Sequence, residues 1–159
     1  IDTNNFLSKA GVRTFEAAAF LRRCGADVTR VRKMLRDDLD SYKARAAAIR
    51  DAEIYRNDFI MGVCPSKGLK SPTVVGAQAA NELLDVEGIK ASFVLTSYHN
   101  VIYISARSID EVNVQVIMEK LGGGGHLNVA GAQVSGYTMT ETLNMIKNII
   151  NEMKEQGDL

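Results

Sequence analysis

Leu121-Gly122-Gly123-Gly124-Gly125-His126 is the stretch on which the reading of this chain turns. Four glycines in a row leave the backbone without Cβ atoms, free to take positive φ and to approach a ligand closely. Successive N–H groups in such a loop can converge as a nest, an anion-binding shape. The closing histidine adds a donor able to carry positive charge near neutral pH. The run is followed by small residues, Asn128-Val129-Ala130-Gly131-Ala132, which allow close packing. A plain tight turn competes with a phosphate loop at this point, and a flexible linker fits less well, since no Ser or Pro pads the run.

Working outward, the loop is flanked by periodic apolar segments. Before it, Val114, Ile117, Met118 and Leu121 recur at helical spacing, with Ser108-x-x-Glu111 as a capping box and Asn113 as a competing cap. After it, Val129 to Tyr137 reads as a strand. Thr138-x-x-Glu141 then opens an amphipathic helix carrying Leu143, Ile146, Ile149, Ile150 and Met153. Upstream, Ala91–Tyr98 and Val101–Ala106 read as a hairpin turning at His99-Asn100, with His99 a turn residue. Phe59–Cys64 reads as a buried strand, and Ser71-Pro72 as the cap and first residue of a helix reaching about Leu84.

The first 54 residues have a different texture. Thr14 is the expected N-cap of a helix ending near Cys24, with Ala17, Phe20, Leu21 and Cys24 on one face and Gly25 as its stop. Asp27 can cap a second short helix, with Val28, Val31 and Leu35 expected to face inward. In a third, Leu39, Tyr42, Ala46 and Ile49 form the expected inner face, and Lys43, Arg45, Arg50 and Asp51 a solvated one. That helix is expected to connect two subdomains. The chain opens on Ile1-Asp2-Thr3 without a methionine and reads as the continuation of a folded unit.

Composition narrows the function. The chain has 159 residues with 19 Lys+Arg against 19 Asp+Glu, so the formal net charge is zero. That argues against nonspecific binding of long nucleic acid, which needs a basic excess, but leaves room for a small phosphorylated ligand. Cys24 and Cys64 form no disulfide framework and are expected to be buried thiols. No apolar run approaches the length of a membrane span, and none reads as a signal peptide.

Ser105, Arg107 and Ser108 end the second strand of the hairpin, and Gly122 to His126 follow the next helix. An arginine with hydroxyl neighbours beside a glycine loop suits a phosphate clamp, as against a surface ion pair with Asp110 or Glu111. Asp2 taken locally is a cap or turn former. The residues present contain no zinc spacing, no Ser-His-Asp set and no completed catalytic site.

Leu121 to Gly131, preceded by Ile104-Ser-Ala-Arg-Ser108, resembles the DHH-associated substrate-binding domain of the DHH phosphoesterase superfamily. Ile1-Asp2-Thr3-Asn4-Asn5-Phe6, with Gly11 to Phe15 and Ala17-Ala18, resembles the last segment of the preceding DHH domain. The combined pattern is similar to the GdpP/YybT type of cyclic di-AMP phosphodiesterase. The resemblance implies an α/β (α+β) fold: residues 1–54 a helical C-terminal piece of a DHH domain plus a linker helix, and 55–159 a DHH-associated substrate-binding domain, a small mixed β-sheet covered by helices.

It further implies two metal ions, typically manganese, with Asp2 as one ligand and the others upstream. Arg107 and Gly124 to His126 match phosphate- or nucleotide-holding positions, and the wider expected set adds Ser105 and Gly123. The implied reaction is attack of metal-activated water on a phosphodiester, opening cyclic di-AMP to linear pApA. By the same resemblance this segment is inactive alone, has an upstream DHH domain as its partner and is compatible with a homodimer. It would lie on the cytoplasmic side of a membrane, tethered by upstream helices. The other readings are a nanoRNase or exopolyphosphatase-like phosphoesterase, and a nucleotide-binding module without catalysis.

Overall fold

The computed structural model describes Thr3, Phe6 and residues 10–109 and 111–157. It divides into two compact units, residues 1–37 and 38–159. The first contains α1 (Val12–Arg23) and α2 (Val28–Met34). Gly11, not Thr14, is the N-cap of α1; Thr14 sits in the first turn, where its Oγ1 accepts from the Gly11 N–H at 3.3 Å. A Thr three residues into the helix can satisfy the cap backbone as well as one placed on the cap. Gly25 takes φ 93° after the helix, with its N–H on Arg22 O and the Ala26 N–H on Leu21 O, which closes the helix in a Schellman motif. Asp27 caps α2 as expected, accepting from Thr29 N and Arg30 N. No residue of either helix is buried, and Phe15, Phe20, Leu21, Val31 and Leu35 are all exposed. Cys24 is exposed too, contrary to expectation, while Cys64 is buried. Its apolar neighbours along α1 are not covered, so an apolar sequence setting does not enclose it.

The second unit is a mixed α/β layer structure. Its strands are β1 (Glu53–Tyr55), β2 (Phe59–Cys64), β3 (Ala91–Tyr98), β4 (Val101–Ser108), β5 (Gly124–His126) and β6 (Val129–Ser135). Its helices are α3 (Leu39–Arg50), α4 (Pro72–Leu83), α5 (Val114–Glu119) and α6 (Met139–Gln156). The strands form one sheet in the order β1-β2-β3-β4-β6-β5, antiparallel except for β2 beside β3. The parallel pair is joined through α4, since parallel neighbours need a crossover. Tyr98 pairs with Val101 across a two-residue turn in which His99 (φ 49°) and Asn100 (φ 61°) are both left-handed, the backbone that matches sheet twist. His99 is therefore a turn residue.

Strand periodicity decides what each face buries. Ile102, Ile104 and Ala106 of β4 point with Phe93 and Leu95 into a core closed by Ile117, Met118, Ile146, Ile150 and Met153 of α5 and α6. The alternate residues of β2 and β3, Ile60, Cys64 and Val94, meet Ala44, Ala48, Val75, Ala79 and Leu83 of α3 and α4. Burial raises the Cys64 thiol pKa. α6 starts at the expected capping box: Thr138 Oγ1 accepts from Glu141 N, and Glu141 reaches back to the Thr138 N–H at 2.7 Å.

The structure differs from the expected face of α3 and the expected solvation of Arg45, and it decides between the two caps of α5. The buried face of α3 is Ser41, Ala44 and Ala48, whereas Leu39 and Tyr42 are exposed. Small residues win because α3 packs closely: a Cβ on Gly62 of β2 would stand 3.0 Å from Ala48 O. Arg45, expected in solvent, pairs with Glu82 at 2.7 Å and donates to Gln78 at 3.0 Å. The cap of α5 is Asn113, which accepts from Gln115 N, and not Ser108. Ser108 is held in the sheet, its N–H on Asn128 O and its hydroxyl on Leu127 O. Strands β1 and β5, each three residues long, carry too few alternations to show in the sequence. Among the described residues no helix is long and apolar enough to cross a membrane.

Candidate functional site

α4 covers β2, β3 and the near edge of β4, and within this unit no described helix packs on β6 and β5 on that side. The strand register reads out what this open face presents. Directly paired residues of antiparallel strands share a face. One row is Arg107 of β4, Val129 of β6 and His126 of β5; the next is Ser105, Gly131 and Gly124; the third is Tyr103 and Gln133. Arg107 and His126 thus lie in one row two strands apart, about 10 Å between backbones at normal strand spacing.

Beside these rows runs a groove of 520 Å³ lined by Thr73, Tyr103, Ser105, Gly122, Gly123, Gly124, Gly131 and Gln133, together with Ile104 and Ala132. This is an ordinary size for a small-molecule site. Thr73 and Asn81 are two helical turns apart on α4, and Asn81 bonds Arg107, so the α4 wall runs alongside β4 from Tyr103 towards Arg107. The structure therefore places the expected Ser105, Gly123 and Gly124 in the groove itself. Arg107 and His126 stand in the adjoining row.

Arg107 is half-buried. Its Nε donates to Asn81 Oδ1 at 2.8 Å and a terminal nitrogen to Ala106 O at 2.9 Å. Burial lowers its pKa, though a guanidinium stays charged throughout the working range. These bonds engage two of the five guanidinium N–H groups and orient the fork. Glu111, one of the acids weighed as a partner for it, instead pairs with Lys90. Asp110, the other, lies outside the described residues.

The glycines divide into separate roles, which corrects the picture of a four-residue nest. The N–H of Gly122 donates to Glu119 O at 3.0 Å and that of Gly123 to Met118 O at 2.9 Å, both closing the end of α5. Gly122 has φ 75° and forms the turn. A Cβ on Gly123 would stand 2.2 Å from Gly131 O, and one on Gly125 2.5 Å from Ala130 Cα, so both are required by the approach of β5 to β6. Gly124 alone of the four has neither strain nor a neighbour within 4 Å of a Cβ. It keeps the groove open. His126 is exposed at the end of β5.

Asp2 lies outside the described residues. Among the described ones, no three His, Cys, Asp or Glu side chains are placed to hold a metal ion. They do not form a metal centre by themselves. Thr73, Asn81, Tyr103 and Gln133 were not singled out from the sequence. Tyr103 and Arg107 were linkable through the two-residue period of β4; Gln133 needed the β4–β6 register.

With this geometry in place, the likeness to known proteins is informative. Residues 65–155 match the DHHA1 domain. The chain is 43% identical over 145 residues to the cyclic-di-AMP phosphodiesterase PdeA of Listeria monocytogenes, covering 89% of this chain and 22% of that protein. It is 41% identical over 159 residues to the cyclic-di-AMP phosphodiesterase GdpP of Bacillus subtilis, covering 99% and 24%. The chain thus spans less than a quarter of the length of these relatives. Among solved structures, an exopolyphosphatase-related protein from Bacteroides fragilis superposes with a TM-score of 0.82 at 18% identity, covering 98% of this chain and 48% of that one. That likeness speaks to the fold.

Proposed function

The chain belongs to the DHHA1 domain family, and on that premise we propose that it is the substrate-binding part of a phosphodiesterase that opens cyclic di-AMP to linear pApA. The observation that carries this reading is the juxtaposition of the Arg107–Val129–His126 row with the groove floored by Ser105, Gly124 and Gly131. Arg107 supplies a charged fork for two phosphate oxygens, already oriented by Asn81. His126, exposed in the same row, donates to the phosphate from the other side, and Ser105 adds a hydroxyl. Gly124 lets the substrate lie against the strand backbone, with Gly123 and Gly125 holding that strand in place. Positioning and charge complementarity of this kind are what a binding domain contributes to hydrolysis. The names of the relatives, which act on cyclic di-AMP, favour that substrate over other phosphoesters.

In the same reading, the hydrolytic centre belongs to an upstream DHH domain holding two manganese ions, to which Asp2 contributes one ligand. Residues 1–54 supply the end of that domain together with the linker helix α3, which is itself packed within the sheet-bearing unit; residues 55–159 bind the substrate, and the whole faces the cytoplasm. The test is Asp2→Ala in the full-length protein. Manganese-dependent turnover of cyclic di-AMP is expected to fall to background, while the affinity of the groove for the dinucleotide stays within a fewfold of the parent. Retained turnover would remove Asp2 from the metal site.

A further inference from the structure

The end of the groove away from Arg107 is not used by the phosphate contacts. There Tyr103 and Gln133 are paired across β4 and β6, and Thr73 faces them from the first turn of α4. Tyr103 is half-buried and Gln133 exposed. Among the described residues the Tyr103 hydroxyl and the Gln133 amide make no hydrogen bond, so an aromatic ring and an amide with both donor and acceptor stand uncommitted in one cavity. Between them and Arg107 lie Ser105 and the glycines Gly131 and Gly124, which leave the middle of the groove open. Tyr103 and Arg107 are four positions apart on β4, about 14 Å along the strand. Phosphate, sugar and base fit that sequence of surfaces in order.

We propose that this end is a nucleobase subsite: Tyr103 stacks on one base of a bound dinucleotide and the Gln133 amide reads its edge. The proposal rests on the reading of the Arg107 end as the phosphate site. Stacking on an aromatic side chain tolerates any base, because every base has a π-face. Selectivity comes from Gln133. Its amide can donate to a ring nitrogen and accept from the exocyclic amine of adenine, the pairing that amide side chains make with that base. Thr73 adds a hydroxyl at the wall without constraining which base is bound. Without a ligand, Tyr103 and Gln133 are only a cross-strand pair on a solvated face, and such a pair has no reason to distinguish one ligand from another.

The experiment is calorimetric titration of this chain with linear pApA and with its analogue carrying tetrahydrofuran residues in place of both nucleosides' base-bearing sugars. Wild-type protein is expected to bind pApA about tenfold or more tightly than the abasic analogue, in line with the loss of base stacking. Tyr103→Ala should erase most of that preference by weakening pApA alone, and Tyr103→Phe should keep it. Gln133→Glu, which replaces an amide by an acceptor-only carboxylate, should move preference from pApA towards pGpG, whose guanine edge offers adjacent donors. If Tyr103→Ala does not fold, Gln133→Glu at its exposed position still decides the matter, an unchanged pApA/pGpG ratio overturning the subsite. Equal affinity of the wild type for pApA and the abasic analogue also overturns it while leaving the phosphate site standing. So does an equal weakening of both ligands in Tyr103→Ala. Binding of neither ligand by the wild type shows that the phosphate reading has failed, and the subsite with it.

Discussion

Replacing Arg107 by alanine is expected to weaken binding of cyclic di-AMP by about ten- to a hundredfold, the worth of a hydrogen bond to a charged group at the phosphate. The fold should hardly notice. The guanidinium bonds Asn81 Oδ1 and Ala106 O, and Asn81 lies exposed, where water can take the place of the guanidinium. A stability change of about 1 kcal/mol or less follows for such bonds. Arg107→Lys keeps the charge but not the planar fork, so it should recover only a small part of the affinity. Titration calorimetry beside thermal melts of the three proteins checks both halves. A melt lowered as far as by a core truncation, with ligand affinity intact, would make Arg107 a structural residue.

Adjacent glycines should respond in opposite ways. Gly125→Ala is expected to cost about 3 kcal/mol or more: φ of 150° strains any L side chain, and the new Cβ would stand 2.5 Å from Val129 O and Ala130 Cα, backbone that cannot move aside cheaply. Gly124→Val should leave the denaturation midpoint unchanged, because a Cβ there meets nothing within 4 Å and a β-branched residue suits a strand. Its isopropyl group instead occupies the groove, and binding of the dinucleotide should fall. Chemical denaturation and titration of the two variants check the pair. If both lose stability alike, Gly124 is needed for packing and not for access.

The contrast between these glycines marks how far the sequence was readable. That the run lies between a helix and a strand followed from the spacing of Val114, Ile117 and Met118 before it and the short apolar run after it. Which glycine does what did not follow, because that depends on how near β6 comes, a tertiary fact. The hairpin at His99-Asn100, the helix behind Ser71-Pro72 and the capping box Thr138-Glu141 were legible because each is decided within a few residues. The inner face of α3 was misread for the opposite reason. Its large apolar residues suggested one stripe, and close packing against α4 and β2 selected the alanines of another.

The candidate site shows the same division. Arg107 and His126 were visible as residue types in a motif, but their common row depends on the register Arg107–Val129–His126 across three strands. Sequence order separates them by nineteen positions, and nothing local says that the chain between them turns back to place β5 outside β6. Tyr103 and Gln133 carry no motif at all. Only their pairing in the groove sets them apart from other solvated strand residues.

Whether this face holds a phosphodiester is decided by calorimetric titration of cyclic di-AMP into this chain, with His126→Ala alongside. Saturable binding of one dinucleotide per groove is expected, weakened at least about tenfold in His126→Ala because a phosphate hydrogen bond is removed, with an unchanged melt. Heats no larger than dilution, or binding of equal strength in the variant, would contradict the assignment of this face as the phosphodiester site.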